Sequence, residues 1–196
     1  MKQTVRYNTF ETNSSSYHSL SVQKIKDENI QQIEKGKDLT INTTINYKTI
    51  GYTESYEFIG RGSYNKAKMV LRFMGYELDN QLEDVIDEKL YTNADGTWDY
   101  DKRNELLKAN FYNVPLIQGF VKAIKRYIGE DRNVTIEFTS NRDPYIERVD
   151  DEEKSLCDIF NINEEDYQNV DKLADTFYNI IFDNNIEMIE ECESNE

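Results

Sequence analysis

The sequence predicts a single α+β domain over residues 1–196, built as a mainly antiparallel sheet packed by amphipathic helices. Three observations predict it. Residues 39–60 are rich in Thr, Ile, Tyr and Phe and alternate in the manner of strands. Two segments, 116–128 and 165–181, place apolar residues at helical spacing. No internal repeat, low-complexity linker or βαβ alternation is present, and at ~100 to 200 residues per domain the length suits one.

Taken in order, KQTVRYNTF and YHSLSVQ suit two short strands flanking a polar loop. Asp27 is placed to cap a short helix through Ile33, ended by Gly36. The runs DLTINTTINYKTI and YTESYEFIG then read as the antiparallel strands of the sheet. A helix follows at SYNKAKMVLRFMG, with Ser63 as its N-cap and Tyr64, Ala67, Val70, Leu71 and Met74 on one face. QLEDVIDEKLY reads as another helix, and the turn NADGTWDYD leads into one around KRNELLKAN. Pro115 opens the clearest helix, which carries Leu116, Ile117, Phe120, Val121, Ile124, Tyr127 and Ile128 as its stripe. NVTIEFTS alternates as a strand. In the last long helix Tyr167, Val170, Leu173, Ala174, Phe177 and Ile181 share a face, before a short apolar pattern, IEMIEE.

The net charge of −15 is unevenly placed. Residues 1–132 hold 19 Lys/Arg and 19 Asp/Glu, whereas residues 133–196 hold 4 and 19. A balanced body therefore carries a strongly acidic last third, which serves either as a phosphate mimic for a basic partner or as a solvated face. No apolar run follows Met1-Lys2 and no stretch of ~18 apolar residues occurs, so a cytoplasmic protein without membrane association is expected. Cys157 and Cys192 are isolated, which suits reduced thiols.

Several motifs fail on inspection. If Gly96 is put at position six of a calcium loop, Tyr91 and Lys102 fall where carboxylates are needed. GRGSYNKAK lacks the third glycine of a dinucleotide fingerprint and the Gly-Lys-Ser/Thr of a P-loop, although a bare helix N-terminus beside Arg61 still suits a phosphate. One His and two distant Cys do not make a zinc site. Neither a metal nor a cofactor is expected.

The densest polar cluster is FETNSSSYHSL, Phe10 to Leu20, which contains the chain's single histidine, His18. Together with Arg6 it resembles an N-terminal signature, R-x-x-x-F-E-T-N-S-S-S-x-H-S, of small proteins encoded by phages and mobile elements of Gram-positive bacteria. The resemblance rests on Arg6, Phe10, Glu11, Thr12, Asn13, Ser14, Ser15, Ser16, His18 and Ser19, and nothing after residue 25 adds to it. The group includes anti-CRISPR proteins that truncate the guide RNA of Cas9. The resemblance therefore implies RNA or a ribonucleoprotein, such as Cas9 with its guide RNA, as the partner, and evasion of host defence in the bacterial cytoplasm as the setting.

The residues suit that chemistry. Metal-independent RNA cleavage needs a base for the ribose 2′-OH, an acid for the departing 5′-oxygen and donors around the phosphate. His18 and Glu11 are the acid–base candidates, Arg6 the phosphate fork, and Asn13, Ser14, Ser15 and Ser16 the hydrogen-bond donors. Ser14 also counts among the catalytic candidates, and Tyr7 and Tyr17 are placed to stack on splayed bases. Two other readings stay open. In one, a non-catalytic inhibitor lays its acidic third into a basic nucleic-acid channel of a defence complex. In the other, an ADP-ribosyltransferase-like site uses Arg6, though the short acidic motif of such sites is missing. A structural role for His18 and a turn or capping role for the serines are the plain alternatives.

Overall fold

The computed structural model describes residues 3–8, 30–42, 48–50, 55–137 and 160–192. Helices dominate it. They are α1 (Gly62–Phe73), α2 (Gly75–Asp84), α3 (Tyr100–Asn110), α4 (Pro115–Ile128) and α5 (Val170–Phe182). The strands are β1 (Gln3–Asn8), β2 (Leu39–Asn42), β3 (Lys48–Ile50), β4 (Ser55–Gly60), β5 (Val134–Glu137) and β6 (Ile186–Cys192).

The expected mainly antiparallel sheet is not what forms. β2 and β5 make a small two-stranded parallel sheet, and the other strands follow the order β1-β6-β4-β3, in which β1 and β6 are also parallel. Among the described strands, the β3–β4 and β4–β6 pairings are antiparallel. Alternation identifies a strand but says nothing of its partner's direction. Here the run DLTINTTINYKTI is divided between the two sheets: Leu39 pairs with Val134, while Lys48 pairs with Glu57.

The core is helical for the same reason. α4 and α5 both carry wide apolar stripes, and they bury them chiefly against each other rather than on a sheet. Phe120 and Phe177 meet edge to face at 6.4 Å, with Phe160 against Phe177 at 5.9 Å. Gly119 permits the close approach, since a Cβ there would lie 2.6 Å from Leu173 Cβ. α1 runs through the middle of this assembly with no exposed residue, packing on α5, β4, β2 and β6.

Other expectations change in detail. Asp27 lies outside the described residues, and residues 30–34 are not helical. They form a strap across the start of α1: Ile33 N–H donates to Ser63 Oγ at 2.7 Å and Tyr64 N–H to the Gln31 carbonyl at 3.2 Å. Arg61, not Ser63, occupies the N-cap position of α1. QLEDVIDEKLY ends its helix at Asp84 and continues as a 3-10 turn, Glu88–Leu90. The pattern IEMIEE belongs to β6, a central strand.

Candidate functional site

Of the predicted site residues, Arg6 and Tyr7 are described, both on β1. Glu11, Asn13, Ser14, Ser15, Ser16, Tyr17 and His18 lie outside the described residues, as does the predicted strand YHSLSVQ. Arg6 is in register with Ile189 and Tyr7 with Glu190. As consecutive positions of a strand they belong to opposite faces, so β1 does not bring the phosphate fork and the stacking tyrosine to one face.

The neighbourhood of β1 holds what sequence reasoning missed. β6 brings the acidic end of the chain directly beside the N-terminal strand: Glu187 stands opposite Thr4, Glu190 opposite Tyr7 and Glu191 opposite Asn8. On its other side Glu191 is in register with Glu57, and Glu57 with Lys48. One row across the sheet therefore reads Asn8, Glu191, Glu57, Lys48. Because β1 and β6 run in the same direction, their C-terminal ends coincide, and the signature segment leaves β1 at that end. The apolar residues of IEMIEE were the available signal for β6, but its pairing with a strand 180 residues away left no mark in the local pattern.

Behind β4 and β6 lies α1, whose Arg61, Asn65, Lys68 and Arg72 recur at spacings of four, three and four and so form one stripe. All four are half-buried or buried. Burial pushes the Lys68 ammonium below its ordinary pKa. Lys66 lies off this stripe, buried, with Nζ donating to the Asp183 carbonyl oxygen at 2.6 Å, just before β6 begins. Burial lowers its pKa as well, and the nearby Asp183 charge opposes that shift.

Two other polar surfaces are already occupied. The start of α1 is not a bare anion site, since the Gln32 amide oxygen accepts Ser63 N–H at 3.1 Å and Ser63 Oγ–H at 2.9 Å. Gly62, at φ +78°, sits so close to the strap that a Cβ would fall 2.4 Å from the Gln31 carbonyl oxygen. On α4, Lys122 pairs with Asp171, and Arg126 pairs with Asp175 at 2.7 Å while lying over the Tyr178 ring. Two carboxylates of α5, Asp171 and Asp175, thus partly neutralise the basic face of α4. Lys122 holds the Asp171 carboxyl below its usual range, with Arg126 adding to the effect.

No helix among the described residues is long and apolar enough to cross a membrane. No family model matches the chain, and neither a curated protein nor a solved structure matches it.

Proposed function

We propose that the protein acts on RNA as a metal-independent ribonuclease of anti-defence type, with its site in the N-terminal signature and the guide RNA of a Cas9 complex in the bacterial cytoplasm as substrate. In this reading His18 and Glu11 exchange the protons of the 2′-OH and the departing 5′-oxygen. Arg6 forks onto the phosphate, Asn13, Ser14, Ser15 and Ser16 donate to its oxygens as charge builds, and Tyr17 stacks on a base.

The observation that carries this reading is the position from which the signature departs. Its first residue, Arg6, stands on β1, and the rest of the signature leaves at the end that β1 shares with its parallel neighbour β6. Against the non-catalytic acidic reading, two carboxylates of the last third, Asp171 and Asp175, are already paired with Lys122 and Arg126 of α4.

The test is cleavage of end-labelled guide RNA, free and Cas9-bound, by purified protein. Loss of a general acid or base lowers a rate by ~100- to 10,000-fold, so His18→Ala is expected to fall in that range with its unfolding midpoint unchanged. Uncut RNA with the wild-type protein, or full activity in His18→Ala, would leave the binding-only inhibitor as the better account.

A further inference from the structure

The segment between α2 and α3 has no part in that site, yet it carries the most distinctive exposed surface among the described residues. Thr92 and Trp98 form an antiparallel bridge closed by the turn Asn93–Gly96, where Gly96 N–H donates to the Asn93 carbonyl at 3.0 Å and Gly96 takes φ +82°. The bridge sets three aromatic rings edge to face in series. Tyr91 is buried and anchors the row, Trp98 meets it at 5.9 Å, and Tyr100 meets Trp98 at 6.2 Å. Trp98 is 46% exposed and Tyr100 63% exposed. Large aromatic groups left in water side by side are uncommon away from binding surfaces.

The charge around them selects the partner. Residues 84–101 hold six carboxylates and a single cation, Lys89. Several of those carboxylates are held in place by their own backbone. Asp87 accepts Lys89 N–H, Asp95 accepts Thr97 N–H and Asp99 accepts Lys102 N–H, each at 3.0 Å. Glu88 accepts the Trp98 indole N–H at 3.1 Å, which fixes the ring's orientation. Such preorganised anions repel phosphates and favour cations, while exposed indole and phenol faces attract a flat cation by stacking. Guanidinium satisfies both demands, since it stacks on a ring and forks onto a carboxylate, which an ammonium does not.

We infer that the Tyr91–Trp98–Tyr100 row and its fixed carboxylates form a docking surface for an arginine-rich segment of a partner protein. The inference is independent of the RNA-cleavage site, because no residue is shared.

Trp98 is the only tryptophan of the chain, so its emission reports on this surface alone. The probes are a synthetic peptide of alternating Arg and Gly, the matched Lys-Gly peptide, and oligouridylate. The Arg-Gly peptide is expected to change Trp98 emission saturably and to bind more tightly than the Lys-Gly peptide. Tyr100→Ala leaves net charge unchanged and removes an exposed ring, so it should weaken that binding by about 5- to 10-fold, the worth of one cation–π contact. Trp98→Phe, followed by calorimetry, should weaken it less than Trp98→Ala. Equal binding of the two peptides, wild-type affinity in Tyr100→Ala, or a larger emission change with oligouridylate would each overturn the inference. The first two outcomes would mean that only the chain's net charge attracts the probe.

Discussion

Lys66 sits in a setting that its chemistry disfavours. Its ammonium is buried with a backbone carbonyl as its hydrogen-bond acceptor, and burial holds its pKa below the ordinary value of 10.5. Between the folded pKa and 10.5 the unfolded chain binds more protons than the folded one, so stability rises with pH across that window. Below it both states are protonated and the cost of burying the charge is present in full. Lys66→Met should therefore flatten the rise measured by urea unfolding at alkaline pH, with the contribution of Lys68 remaining. An identical pH profile in the variant would mean that the charge is not held in the interior. The same change removes one charge-assisted hydrogen bond to the Asp183 carbonyl, a loss of ~1.5–3 kcal/mol, so near pH 7 the two effects oppose each other.

At the scale of elements, α4 and α5 are the pair on which the core depends. Their approach requires the absence of a side chain at Gly119, because the obstructing atom is Leu173 Cβ, which cannot swing away. Alanine gains up to ~1 kcal/mol in helix propensity over glycine, but forcing the two helices apart costs ~1–3 kcal/mol. Gly119→Ala should therefore lower the denaturant midpoint, and a raised midpoint would show that the helices part without cost. Phe120→Ala, which empties a fully buried site against Phe177, should cost ~3–5 kcal/mol and serves as the calibration.

These two helices were also the most legible part of the sequence. Their stripes predict the buried faces well, with Leu116, Ile117, Phe120, Ile124, Leu173, Ala174, Phe177 and Ile181 all in the core. What covers those faces was not legible, because a stripe records only that something apolar lies opposite. Strands show the same division. The alternation in NVTIEFTS marks β5, but its parallel partner β2 lies 95 residues earlier, and nothing local distinguishes that pairing from a hairpin. The sequence predicts Ser63 as a cap for its own helix, whereas it binds a strap formed by residues 31–33. Of the site, Arg6 was placed on a strand correctly, but the acidic strand beside it could be found only by bringing the two ends of the chain together.

The whole molecule is organised by that meeting of its ends. The excess of negative charge lies in the last third, and its described elements pack on the rest of the fold. α5 returns Asp171 and Asp175 to the basic face of α4, and β6 carries Glu187, Glu190 and Glu191 alongside β1. An acidic strand next to the proposed site is unfavourable for loose, non-specific attraction of RNA. It suits a site that receives its substrate from a protein complex, where the partner supplies the affinity, and an arginine-reading surface near residues 91–100 would serve that purpose. Salt should then weaken recognition of the complex more than it slows cleavage once the RNA is bound.

The central claim is that the N-terminal signature cuts RNA through the ribose 2′-OH without a metal ion. Replacing the single 2′-OH at the cleaved nucleotide of a Cas9-bound guide RNA by hydrogen, and assaying in EDTA, tests both halves at once. The account predicts that EDTA leaves cleavage of the all-ribose guide intact, that the fragments carry a 2′,3′-cyclic phosphate and a 5′-hydroxyl, and that the single deoxy substitution stops cleavage at that bond. Cleavage of the deoxy-substituted bond, or its loss from the all-ribose guide on adding EDTA, would contradict it.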